Sequence, residues 1–155
     1  MAKSACLSCL IVGAIMLSGA SRAGALDWPA VGRLDSGSSV CSAVLIAPDR
    51  VLTAAHCVSL ADGGPFPAEK IVFRAGRALG EEVEQSVARR VVLHPDYLPR
   101  AEAGSRLASD IALVELLIPL DVQSIPLEQA LLPPDDLTAI AYSRKRPEDP
   151  PQVLS

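Results

Sequence analysis

The sequence predicts an all-β fold, a barrel or a sandwich. Three observations lead there. Short runs rich in Val, Ile and Thr recur along the chain, and turn-forming Gly, Pro, Asp and Ser cluster between them. No internal repeat or low-complexity block interrupts the pattern before a proline-rich tail. The length of 155 residues is about one domain.

The first 25 residues stand apart from that pattern. Lys3 gives a positive start, an apolar run spans residues 5–20, and "AGA" at 23–25 offers small residues for a signal peptidase. The apolar run is shorter than the ~20 residues a membrane-spanning helix needs, and Ser8 and Ser18 dilute it. Residues 1–25 therefore read as a signal peptide. The expected location is secreted or periplasmic, with no membrane attachment after cleavage.

The remaining elements follow in order. "SSVCSAVLIA" (38–47) is β-rich and is closed by the turn "PDR" at 48–50. "VLT" (51–53) is a second short strand, and "DGGPFP" (62–67) is a loop by its glycines and prolines. "KIVFRAG" (70–76) reads as a strand ending at Gly76. "EEVEQSVARRVVLH" (81–94) is ambiguous: its acids favour helix at the start, while Val87, Val91 and Val92 favour strand later. "HPDYLP" (94–99) is a turn. "DIALVELLIPL" (110–120) is almost continuously apolar, as in a strand buried on both faces or one that runs into a linker. Proline then punctuates the chain at Pro126, Pro133 and Pro134. "LTAIAY" (137–142) is one more short strand, and the charged, proline-rich segment 143–155 is expected to be frayed.

Charge and cysteines bound the function. The net charge is −4, and loss of Lys3 and Arg22 with the signal makes it −6. Such a chain has no basic footprint for nucleic acid and no polybasic segment for anionic lipid. Cys6 and Cys9 leave with the signal, so Cys41 and Cys57 remain. In an oxidising compartment such a pair is expected to form a disulfide, the alternative being two free thiols. The bridge would close a loop of about 17 residues and contribute roughly 3 kcal/mol. Two cysteines with two scattered histidines, His56 and His94, do not supply a four-ligand metal site. No metal and no cofactor is expected.

His56 lies in "VLTAAHCV" (51–58), and a lone histidine is more often structural than catalytic. Its neighbourhood changes that reading. "CSAVLIAPDRVLTAAHC" (41–57) closely resembles the histidine segment of trypsin-like serine proteases of the chymotrypsin fold, with Cys41, Thr53, Ala54, Ala55, His56 and Cys57 at the matching positions. "SDIALVEL" (109–116) resembles the same family's aspartate segment, in which the aspartate opens a buried strand. The resemblance implies that His56 is a catalytic base tied down by the Cys41–Cys57 bridge, and that Asp110 orients it. The order His then Asp fits the chymotrypsin arrangement. "VVLHPDY" (91–97) resembles the strand and turn ahead of the aspartate, where His94 is a turn residue without a catalytic role.

The resemblance covers about residues 28–142 and then departs from the family. Trypsin-like proteases are two six-stranded barrels, the second supplying a Gly-Asp-Ser-Gly-Gly nucleophile, the oxyanion donors and the specificity pocket. After Asp110 the serines are Ser124, Ser143 and Ser155, none in a glycine-rich turn. "LDSGSS" (34–39) contains Asp-Ser-Gly but precedes His56, so Ser36 reads as a hairpin turn residue. "AVGR" (30–33) matches the strand entering that hairpin better than an activation start.

The resemblance thus implies the first six-stranded barrel of the two-barrel fold at 26–116, with the second barrel missing. A linker follows at 117–136, and the opening strand of a second barrel with a tail at 137–155. By lineage the chain is a serine endopeptidase with the base and its orienting acid but no nucleophile. It is expected to be inactive alone, and to act on a protein or peptide substrate only if a second barrel completes it. The rival reading is a secreted, non-catalytic binding module.

Overall fold

A computed structural model describes residues 28–99, 107–127, 139–143 and 149–154. The predicted signal peptide lies outside the described residues. Six strands close into an antiparallel barrel: β1 (Val31–Ser36), β2 (Ser39–Ala47), β3 (Arg50–Thr53), β4 (Ile71–Ala75), β5 (Glu84–Leu93) and β6 (Ala112–Leu116). Around the barrel they run β1-β2-β3-β6-β5-β4. The runs expected at 38–47, 51–53 and 70–76 are strands β2, β3 and β4, and "AVGR" leads into the β1–β2 hairpin.

Alternation decides what faces inward. In β4 the residues Ile71, Phe73 and Ala75 are buried, and in β6 so are Ala112, Val114 and Leu116. Leu34 and Leu45 join them, and Phe73 is the largest fully buried side chain. Gly32 leaves room for it. A Cβ on Gly32 would run into the Phe73 ring and stand 2.6 Å from the Arg74 carbonyl oxygen. The β1–β2 turn uses Gly37 at φ +60°, the first of two turn positions, where a type II′ hairpin calls for glycine.

Two expectations are refined. The ambiguous segment 81–94 is strand β5 from Glu84 onward, because the edge of β4 takes Val87, Ser86, Gln85 and Glu84 as pairing partners. Tertiary pairing overrides the helical preference of its acids. The register then shifts between Ala88 and Arg90, and this bulge leaves the consecutive Arg89 and Arg90 both exposed. The apolar run 110–120 is not buried on both faces: Leu113 and Glu115 are half-buried, Leu117 and Ile118 are exposed, and the strand runs into a linker.

The described part of that linker lies against the barrel. Leu120 N–H donates to the Pro48 carbonyl at 2.8 Å and Ile125 N–H to the Leu45 carbonyl at 2.8 Å. The strand expected at 137–142 is β7 (Ala139–Ala141). The tail expected to be frayed is a correction. Gln152–Leu154 forms β8 and pairs antiparallel with β7, since an isolated strand leaves its backbone groups without partners. Among the described residues no helix is long and apolar enough to cross a membrane.

Candidate active site

His56 sits in a single 3₁₀ turn, Ala55–Cys57, directly after β3. Ala54 is still extended, and the turn is then closed by Cys57 N–H to the Ala54 carbonyl and Val58 N–H to the Ala55 carbonyl, both 3.1 Å. Ala55, Cys57 and Val58 point into the core, which turns the His56 side chain outward. Thr53 Oγ1 donates to the Ser42 carbonyl at 3.0 Å and clamps the last residue of β3 to β2. A disulfide joins Cys41 of β2 to Cys57, with the Cα atoms 6.2 Å apart.

Asp110 approaches from the start of β6. Its Oδ1 accepts the His56 backbone N–H at 2.8 Å, and its Oδ2 lies 2.7 Å from His56 Nδ1. The two side chains differ in environment: that of His56 is 61% exposed, that of Asp110 only 14%. An ionised carboxylate can only accept, so in neutral His56 the proton sits on Nδ1 and Nε2 keeps its lone pair. One carboxylate therefore fixes both the backbone and the ring of His56. The ring is mostly exposed and its Nε2 lies 3.5 Å from Cys57 Sγ; a ring nitrogen that keeps its lone pair is what a general base requires.

The other predicted residues fall elsewhere. His94 is in the 94–97 turn, where its Nδ1 accepts the Asp96 N–H at 3.2 Å. Ser36 closes β1 instead of standing in the turn, and its buried hydroxyl donates to the Cys57 carbonyl at 2.5 Å. Ser155 lies outside the described residues. Donor atoms of Cys41, His56 and Cys57 lie within 4.8 Å of one another, but the two sulfurs are bonded to each other and neither is a thiolate ligand.

One further residue escaped the sequence reading. Tyr142, just after β7, is buried against the barrel. Its N–H donates to Ser42 Oγ at 2.7 Å and its hydroxyl to the Arg77 carbonyl at 2.8 Å. Burial pushes its phenol up to about 12, against the opposing pull of the Arg77 and Arg33 charges. Beside it an open, mostly apolar cavity of about 340 Å³ is lined by Val31, Val44, Leu52, Ile111 and Ile140, with Asp110 at its edge. The partners of Tyr142 lie 100 and 65 positions away, so no local signal marks it.

The family model described as Trypsin matches residues 17–155. The chain belongs to the trypsin family. Among curated trypsin-family relatives, human serine protease 56 is 36% identical over 94 residues, covering 60% of this chain and 14% of that protein. Mouse serine protease 56 is 34% identical over 103 residues, covering 66% of this chain and 16% of that protein. Among solved structures, kallikrein-related peptidase 10 in complex with Zn²⁺ superposes with a TM-score of 0.59 at 23% identity. That superposition covers 82% of this chain and 55% of the kallikrein chain, and it supports the trypsin-type fold. The chain thus spans a small part of the curated relatives it matches.

Proposed function

We propose that this chain supplies the proton-handling half of a serine endopeptidase site, with His56 as general base and Asp110 as its orienting acid. The observation that carries the reading is the double grip of Asp110 on the His56 N–H and ring, at 2.8 and 2.7 Å. In such a site Nε2 takes the proton of a serine hydroxyl as its oxygen attacks the peptide carbonyl carbon, then passes it to the leaving amine. Asp110 keeps the required tautomer and stabilises the imidazolium that forms between those steps.

No serine after Asp110 stands in a glycine-rich turn. The reading therefore takes the nucleophile, the oxyanion donors and the specificity pocket to come from a second barrel outside this sequence. It places the linker at 117–136 and the opening strand of that barrel within 137–155. It also makes the chain an exported one, in keeping with its family and its disulfide.

Mixing is the test. The purified chain should not be labelled by a serine-directed phosphonate and should not cleave peptides. Added to a chain that carries a Gly-Asp-Ser-Gly-Gly barrel, it should generate hydrolysis that His56→Ala abolishes. Labelling of the chain alone defeats the claim that it lacks a nucleophile. A stable complex that stays inert defeats the role of His56.

A second reading, a non-catalytic binding module, is favoured by the apolar cavity beside Asp110 and the 47% exposed Ile111 on its wall. It calls for a monodisperse, cooperatively folding chain with a partner seated over that cavity. Line broadening confined to Val44, Leu52 and Ile111 on adding the partner is its signature.

A further inference from the structure

We propose that Ser36 is a positioning residue for His56. It stands in the Asp-Ser-Gly stretch that resembles a nucleophile motif and precedes His56 in the chain. Its hydroxyl is not available for attack. Ser36 is 5% exposed, and Oγ donates to the Cys57 carbonyl at 2.5 Å, across 21 positions of sequence.

The bond holds the carbonyl side of a peptide whose amide side is held within the turn, where Val58 N–H donates to the Ala55 carbonyl at 3.1 Å. The disulfide holds the Cys57 side chain to β2, and Asp110 holds the His56 N–H and ring from β6. Neither holds the Cys57 carbonyl, whose direction goes with the path into buried Val58. Ser36 fixes it from a third strand, β1. The position of Ser36 is itself set, since it pairs with Ser39 and with Ile71 on either side of β1 and is followed by the Gly37 turn. The His56 side chain is mostly exposed, so packing does not hold it, and its ring is placed by the Asp110 contact together with the backbone of its turn. A buried carbonyl that loses its donor must find another, and the turn has to shift to do so.

The inference rests on the reading of His56 as a base, but its test needs no turnover. The readouts are amide hydrogen exchange at His56, Cys57 and Val58, and the downfield proton resonance of His56 Nδ1–H, measured by NMR on the full chain. In Ser36→Ala, exchange at these three amides should accelerate on the order of ten-fold relative to Leu45 and Val114 of the core. The Nδ1 proton signal should broaden or vanish. Ser36→Thr, which keeps the hydroxyl, should retain both signatures. Ser36→Val, of almost the same shape as Thr but without the hydroxyl, should lose both, so the comparison holds even where Ala leaves a cavity. An even acceleration across the whole barrel, or an unchanged Nδ1 signal in folded Ser36→Ala or Ser36→Val, overturns the assignment. Failure of the mixing experiment with these signatures intact would defeat the base role and leave the positioning role standing.

Discussion

Tyr142→Phe tests how the segment after the linker is held to the barrel. The wild-type phenol is buried, its hydroxyl donates to the Arg77 carbonyl, and its ionisation is pushed from 10 up to about 12. In the unfolded chain the same phenol ionises at its ordinary 10. A group whose folded value is raised contributes stability that is complete below the unfolded value and lost as pH climbs through the folded one. The window is therefore pH 10 to 12. At pH 11 the unfolded phenol is mostly ionised and the folded one mostly neutral, so stability falls by about 1.4 kcal/mol relative to pH 8. Tyr142→Phe should lack that fall, while at pH 8 it should cost about 1 kcal/mol for the lost hydrogen bond. Urea denaturation of both proteins from pH 8 to 11 measures the difference. Spectrophotometric titration gives an independent check, because Tyr97 is the other tyrosine and the late-ionising phenol must be the one that disappears. Parallel stability curves for the two proteins across pH 8 to 11 would refute the burial of Tyr142.

Three other perturbations address the barrel and the site. Cys41→Ser paired with Cys57→Ser should lower stability by roughly 3 kcal/mol, read as a shift in the denaturation midpoint, because the bridge closes a loop across 16 positions. Gly32→Ala should destabilise by about 1–3 kcal/mol in the same assay, since the new methyl meets the Phe73 ring and the backbone of Arg74 at once. Asp110→Asn keeps the shape but gives His56 the wrong tautomer. In a complemented enzyme kcat should fall about 10⁴-fold, the scale such a change has in a serine triad, with little change in the chain's melting temperature.

Much of the site was legible because its parts are local. His56 and Cys57 sit in one turn whose small, apolar and β-branched neighbours each have a reason to be there, and Asp110 opens its strand in a recognisable run. The strands were legible where alternation was strong, as in β2 and β4. They were less so where the pattern was mixed: the acids of β5 read equally as helix, and the pairing edge of β4 decided. The bulge that exposes both Arg89 and Arg90 has no local signature either. The tail failed for the same reason in reverse. Nothing in Gln152–Leu154 requires a strand, and only the backbone of β7 makes it one.

Residue types within short windows were enough for the family, the strand-rich pattern of the barrel, the cysteine pair and the proposed base with its orienting acid. The tertiary structure alone decided that Asp110 grips His56 at two points, that Ser36 serves the Cys57 carbonyl, and that Tyr142 closes onto the first barrel strands. Those are contacts across 54, 21 and 100 positions. Hydrogen bonds act over about 3 Å. Which distant groups come that close is set by barrel closure and register, and no local window of the chain contains either.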